Sequence, residues 1–296
     1  MKDFNLSDFQ FNGKGSFSIA KAATDINDLY EKKDSYTTLL SELSEEMDAL
    51  QNIMYAHNKH GLLIVFQAMD AAGKDGTMKA VFKNVHPLGL SFVSFKRPSI
   101  EELNHDYLWR CFKKLPERGQ MTIFNRSYYE EVLVVKVHPE IVKNYQNLPP
   151  ELTENLENLW KKRYADIVNF ENYLNNNGVK VIKIFLNVSK KEQGKRLIER
   201  IEDINKNWKF EEGDIKERAF WNDYMNAYET MINETATETS PWHIVPADDK
   251  KNMRLIVSQI IVEHLKSLKM EYPQSSIERQ TELKKLIATI QEQDKN

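Results

Sequence analysis

The spacing of hydrophobic residues changes period along the chain. From about Asp25 to Lys59, Leu39, Leu40, Leu43, Met47, Leu50, Ile53 and Met54 recur every three or four positions, which predicts one amphipathic helix or a pair of them. GLLIVFQ, residues 61–67, is a short continuous apolar run rich in branched side chains, the pattern of a strand buried on both faces of a parallel sheet. GKDGTMKAVFKNV then returns to helical spacing, with Met78, Val81, Phe82 and Val85 on one side. LSFVSF, MTIFN, VKVIKIFLNV and WHIVP read as four further strands with helical patterns between them. Strands alternating with helices imply right-handed crossovers, so the expected fold is a three-layer α/β/α domain spanning residues 1–296, with a mainly parallel central sheet.

The other segments fill in this outline. Residues 148–178 predict a long helix opened by Pro149 and Pro150 and closed by Gly178. Ser189 followed by Glu192 spells a capping box at the head of a helix reaching Ile204. A basic loop with Trp208 interrupts the helices, and IKERAFWNDYMNAYETMINET resumes them. Residues 1–24 have no period and predict an irregular arm. Residues 273–296 predict a capped terminal helix with few apolar positions, exposed or packed on a partner.

Composition narrows the classes. The net charge of −3 is not that of a polycation built to coat nucleic acid or a membrane. No apolar run nears the roughly 18 residues that cross a bilayer, and MKDFNLSDFQ lacks a signal-like apolar stretch, so a cytoplasmic location is expected. Cys111, the single cysteine, leaves no internal disulfide and reads as a small buried residue on an amphipathic helix. His86, His105 and His138 show no metal-ligand spacing and read as structural or surface residues.

The segment QAMDAAGKDGT, residues 67–77, carries the candidate chemistry. It resembles the phosphate loop G-x-x-x-x-G-K-[ST], with Ala68 for the first glycine and Asp75 for the hydroxyl that normally holds magnesium. Strand, tight loop and helix in that order aim backbone N–H groups at an anion on the positive end of a helix dipole. Gly73 and Gly76 permit close approach and Lys74 adds charge, while Asp70 and Asp75 would repel phosphate unless a divalent cation lay between. Asn125, Arg126 and Glu130 of FNRSYYEE follow the strand MTIFN, so they project into the same crevice beyond the strand ends. Arg196 and Arg200 share a helix face, with Lys206 and Lys209 beyond them, as a basic lid over residues 190–220 would require.

AMDAAGKDGT, FKRPSIEELNHDYLWR, LPERGQMTIFNRSYYEEVLVVKVHPE, RIEDINKNWKF, IKERAFWNDYMNAYE and PWHIVPADDK together resemble the second family of polyphosphate kinases, in order and spacing over roughly residues 25–270. The resemblance implies a thymidylate-kinase-like P-loop fold with a helical lid. It also implies reversible, magnesium-dependent transfer of the terminal phosphoryl group of inorganic polyphosphate to a nucleotide. Aspartates at the positions of Asp70 and Asp75 belong to the family's loop, so the odd spelling fits a polyanionic donor. By the same resemblance Asp70, Lys74 and Arg126 are expected to be catalytic, with Asp70 on Mg2+. Phosphate is expected on Gly73, Lys74, Gly76, Thr77, Arg126, Arg196, Arg200, Lys206 and Lys209, and the nucleotide on Asn125, Glu130 and Asp75. Some members carry Asp at position 125 and Asn at 130; the spelling NRSYYEE is similar to the branch that accepts both AMP and ADP. The expected partners are polyphosphate, AMP, ADP, ATP and further copies of the chain in a dimer or tetramer, with no nucleic acid and no membrane. An ATP-dependent nucleoside monophosphate kinase and a non-catalytic polyphosphate-binding protein are the alternatives.

Overall fold

A six-stranded sheet organises the computed structural model, which describes residues 4–294 apart from the side chain of Lys209. The strands are β1 (Gln10–Phe11), β2 (Gly61–Gln67), β3 (Leu90–Ser94), β4 (Met121–Asn125), β5 (Val179–Asn187) and β6 (Trp242–Pro246), in the spatial order β1-β6-β5-β2-β4-β3. All neighbours run parallel except β1 against β6, so the carboxyl ends of β2, β4, β5 and β6 lie on one edge. Every residue of β2 is buried, as its unbroken apolar run requires of a strand covered on both faces. After β2 the chain first builds β3 and β4 on one side and then β5 and β6 on the other. The crevice therefore opens at the end of β2.

Among the described residues eight longer helices cover the sheet or extend from it: α1 (Lys33–His57), α2 (Lys74–Val81), α3 (Leu156–Asn176), α4 (Lys190–Glu202), α5 (Glu212–Ala219), α6 (Trp221–Thr235), α7 (Lys250–Ser267) and α8 (Ile277–Gln293). α1 and α2 pack on α7, which lies on β5 and β6; α3 lies on β5 from the other face and holds α6.

Local details depart from the expected boundaries for identifiable reasons. α1 begins at Lys33, eight residues after Asp25, because Ser35 and Lys32 close a turn there. The long helix expected over 148–178 is two: a short helix over Pro150–Thr153 stops where Asn155 leaves helical geometry and caps α3 through the N–H of Asn158. IKERAFWNDYMNAYETMINET is split at Phe220 between α5 and α6. Ser189 does cap α4 through the Glu192 N–H, but the Glu192 carboxylate turns to Arg196 Nε at 2.9 Å, so only half of the capping box forms. The arm over 1–24 contributes an edge strand, β1, which a two-residue pairing cannot announce in sequence. Asn233 and Glu229 of α6 hold it through the N–H groups of Phe17 and Ile19. Cys111 is buried in a four-residue helix, where burial pushes its thiol up to about 12, out of reach as a nucleophile.

Candidate active site

The chain leaves β2 at Gln67 and turns through Ala68–Gly73 into α2. The turn needs two left-handed residues, Ala71 at φ +59° and Gly73 at φ +108°. Alanine at the first carries backbone strain that glycine would not. The first-turn N–H groups of α2 have no partner inside the helix and face the crevice, which makes an anion cradle of the loop.

Lys74 is buried and its ammonium donates to Ala68 O at 2.8 Å and Met69 O at 3.3 Å. Burial lowers its pKa, and Asp70 is the main charge that opposes the shift. Asp70 is pushed up by burial, yet Lys74 and Arg126 together outweigh this and hold its carboxyl below the usual carboxylate range. The Asp70 side chain stays about a third exposed, so a charged oxygen remains open to the crevice.

The second element is the turn after β4. Arg126 also has positive φ, +63°, fixed by its N–H bond to Phe66 O at 3.1 Å. That geometry throws its guanidinium onto Asp70 Oδ1 at 2.8 Å and within 3.9 Å of Glu130 Oε2. Glu130 chiefly, then Asp70, raises the pKa of Arg126 and keeps it charged. With its amide oxygen toward the Ser127 hydroxyl, Gln67 donates to Glu130 Oε1 at 3.0 Å. Burial raises the Glu130 carboxyl, against Arg126 and Lys74. Asn125 Nδ2 donates to Asp75 Oδ1 at 2.7 Å, tying the end of β4 to the first turn of α2.

Asp70, Gly73, Lys74, Asp75, Gly76, Asn125, Arg126 and Glu130, expected from different parts of the sequence, thus meet at one strand edge. Two residues expected on phosphate sit elsewhere. Thr77 is fully buried, its N–H taken by Gly73 O at 3.0 Å and its hydroxyl 3.7 Å from Met253 Sδ. Arg196 is buried beneath the loop, donating to Ala72 O and Ala247 O at 2.7 Å and to Asp248 O at 2.8 Å. Its donors are spent on these carbonyls and on the Glu192 carboxylate, so it braces the loop against the end of β6. Arg200 pairs with Asp214 at 3.1 Å, and Lys206 pairs with Asp203 on the exposed segment beyond α4. Lys209 was expected here too; its side chain lies outside the described residues.

Two residues that the sequence reading passed over belong to this site. Gln193 is buried in α4, donates to the Asp70 carbonyl at 3.1 Å and accepts from Arg218 at 2.6 Å. Its spacing from Arg196 and Leu197 on one helix face was the available signal. Asp214, paired with Arg200, carries a carboxyl raised first by burial and then by the charge of Asp70, so it lies within electrostatic reach of that carboxylate. Nothing in its local sequence distinguishes it from a first-turn aspartate. Beside Arg126 and Glu130 opens a cavity of about 290 Å³, lined by Phe95, Arg97, Tyr107, Arg110 and Tyr145 among others.

Known proteins resemble this chain in sequence and in fold. The model of the family described as polyphosphate kinase 2 matches residues 30–273. The chain belongs to the polyphosphate kinase 2 family. It is 49% identical over 269 residues to the ADP-polyphosphate phosphotransferase of Rhodopseudomonas palustris, covering 90% of this chain and 91% of that one. It is 40% identical over 270 residues to the AMP/ADP-polyphosphate phosphotransferase of Meiothermus ruber, covering 91% and 96%. Among solved structures, polyphosphate kinase 2 from Arthrobacter aurescens TC1 superposes with a TM-score of 0.81 at 35% identity, over 93% of this chain and 94% of that one. Membership fixes the enzyme class, a polyphosphate:nucleotide phosphotransferase, and the P-loop kinase architecture.

Proposed function

We propose that this protein phosphorylates ADP and AMP from inorganic polyphosphate, reversibly. The observation that carries this reading is the contact of Arg126 with Asp70 at 2.8 Å, at the mouth of a loop whose lysine is buried beneath it. A terminal phosphate of the donor rests on the α2 N–H groups and Lys74, and the acceptor's phosphate meets it beside Arg126. An oxygen of the acceptor's terminal phosphate attacks the end phosphorus of the chain. The new P–O bond forms as the anhydride P–O bond breaks, and the chain leaves one unit shorter with the electron pair. Lys74 and Arg126 neutralise charge on the transferred group, and positioning supplies most of the remainder. The cavity beside Glu130, with Arg110 4.9 Å above the ring of Phe95, is of a size and character to take the nucleoside.

Magnesium fits the donor set. Asp70 and Asp75 offer hard carboxylate oxygens beside the cradle, and among the described residues no group of three or more ligating side chains would hold a metal unaided. That is the chemistry of an ion which takes one or two carboxylates and completes its shell with phosphates and water. When bound it would shield the phosphates of the two substrates from each other and from the aspartates. The reading extends to a cytoplasmic, self-associating protein. No helix among the described residues is long and apolar enough to cross a membrane, and α8 is exposed along its whole length with Leu286, Ile287 and Ile290 on its surface.

ADP is common to the names of both relatives, so AMP is the discriminating acceptor. Purified protein with Mg2+ and polyphosphate is expected to form ATP from ADP and ADP from AMP, read by chromatography. Product from ADP alone removes AMP from the proposal, and product from neither removes the whole. Asp70→Asn should lower turnover by at least about a thousandfold while polyphosphate still binds. Unchanged turnover in that variant would refute the role of the carboxylate.

A further inference from the structure

Beside the loop, the first two turns of α7 present Lys250, Lys251 and Arg254. Met253 of those turns packs beneath the loop, where a Cβ on Gly73 would come within 3.2 Å of its methyl. A Cβ on exposed Gly76 would meet only Arg254 Nη2, at 3.7 Å. The Arg254 guanidinium therefore borders the outer face of the α2 first turn, next to N–H groups the helix leaves unpaired.

Among the described residues these cations make no direct ion pair: no carboxylate lies within ion-pair distance of Lys250, Lys251 or Arg254. Arg254 makes one long contact, 3.5 Å to the Tyr36 hydroxyl, and its Nε is buried without a partner. Lys251 sits 5.1 and 5.7 Å from the ring centroids of Tyr30 and Tyr36. The pKa of Lys250 is lowered first by burial and then by Arg196, with a further push from Arg254; Glu199 and Glu192 oppose the shift but pair with Lys195 and Arg196. Neighbouring acids are engaged elsewhere: Asp249 caps α7 through the N–H groups of Lys251 and Asn252, Asp248 accepts from the Ser189 N–H, and Asp75 accepts from Asn125. Holding like charges together without partners costs free energy that an approaching polyanion recovers.

We propose that Lys250 and Arg254, together with the open face of Gly76, form a second anion subsite that takes phosphates of the donor chain beyond those held by the loop. The subsite rests on the polyphosphate reading above and makes it more specific. A nucleoside triphosphate ends its run of charge at the ribose, whereas an inorganic chain continues to present anionic oxygens as it passes from α2 to α7. The subsite therefore favours long donors over short ones.

The test compares wild type with Lys250→Ala/Arg254→Ala, using tripolyphosphate and a chain of about a hundred phosphates as alternative donors to ADP. The long-chain KM should rise about tenfold, with KM for tripolyphosphate and for ADP held within about twofold. The salt dependence of long-chain KM should also become shallower. Equal losses on both donors, or none on either, would overturn the subsite. If the double variant does not fold by thermal melting, Arg254→Gln keeps the side-chain stem and should show the same donor-length asymmetry, partly reversed in Arg254→Lys. If wild type transfers nothing from polyphosphate, the functional reading fails by itself. Calorimetric titration of the long chain into wild type and Arg254→Gln then judges the subsite: weaker binding by the variant supports it, and equal binding refutes it.

Discussion

The turn after β4 and the segment from α4 to α5 both bring arginines toward one phosphate loop, but they stand on unlike foundations. Behind Arg126, Tyr128 and Tyr129 are fully buried, and their hydroxyls donate to Glu171 Oε1 at 2.9 and 2.7 Å. Lys183, inside β5, donates to Glu171 Oε2 at 2.7 Å and to Thr235 O at 2.6 Å. Every member of that network is satisfied, so the turn carrying Arg126 and Glu130 inherits the rigidity of the core. On the other flank α5 buries no residue, Ile204 and Trp208 are 81% and 74% exposed, and Arg200 leans on a single aspartate. A region with so little buried surface opens at low cost. One flank is anchored in the core and the other buries little, the contrast that the proposed lid over the reacting groups would need.

The strongest way to break this comparison is to cut the buried network. Glu171→Ala would strand the Lys183 ammonium in the core, and it should cost about 3–5 kcal/mol in chemical denaturation. Glu171→Leu combined with Lys183→Met should recover part of that loss, since no charge remains to be desolvated, although the tyrosine hydroxyls then lack a partner. A Glu171→Ala protein as stable and active as wild type would mean that the turn does not depend on the core behind it. Arg200→Ala examines the opposite flank with a smaller effect. Turnover should fall about tenfold while stability stays within about 0.5 kcal/mol, because the pair with Asp214 is partly exposed. A stability loss comparable to that of Glu171→Ala would erase the distinction between the flanks.

The two flanks were also unequally legible in the sequence. β2, β4, β5 and β6 were visible as apolar runs because burial on both faces leaves little choice of residue, whereas β3 showed its run although it lies at the sheet edge with no residue buried. Asp70, Lys74 and Arg126 were legible because a loop and a turn placed after strands can only project from the sheet edge. Arg196 and Thr77 sit away from their expected positions for one reason: periodicity states that a residue shares a helix face and not which neighbour that face meets. Arg196 meets loop carbonyls, and Thr77 meets Met253. Gln193 carries no local signal of its partner because Asp70 lies 123 positions away, and Asp214 reads as an ordinary first-turn aspartate although Arg200 is only 14 positions away. The β1 pairing fell below any pattern that two residues can carry.

The finest test of the rigid flank is its titration. Two carboxyls beside Arg126 are driven in opposite directions. Asp70 lies below its ordinary 3.8 because Lys74 and Arg126 outweigh its burial, and Glu130 lies above its ordinary 4.5 because burial outweighs the same cations. As pH falls, Glu130 takes up its proton while Asp70 is still ionised. The folded state then binds a proton that the unfolded chain does not, so the contribution of Glu130 to stability rises as pH falls from its raised value toward 4.5. Asp70 has the opposite sign: its contribution is present above 3.8 and is lost only below it, through its depressed value. Protonation of Glu130 also releases one of the two carboxylates that hold the Arg126 guanidinium, 3.9 Å away against 2.8 Å for Asp70. The acid limb of kcat/KM should therefore lie above pH 4.5 in wild type. In Glu130→Gln, which cannot titrate, it should move below that value, with the plateau lowered by only a few fold. An acid limb that keeps its position in Glu130→Gln would assign the titration to another group, and Arg126 would then be positioned by Asp70 alone.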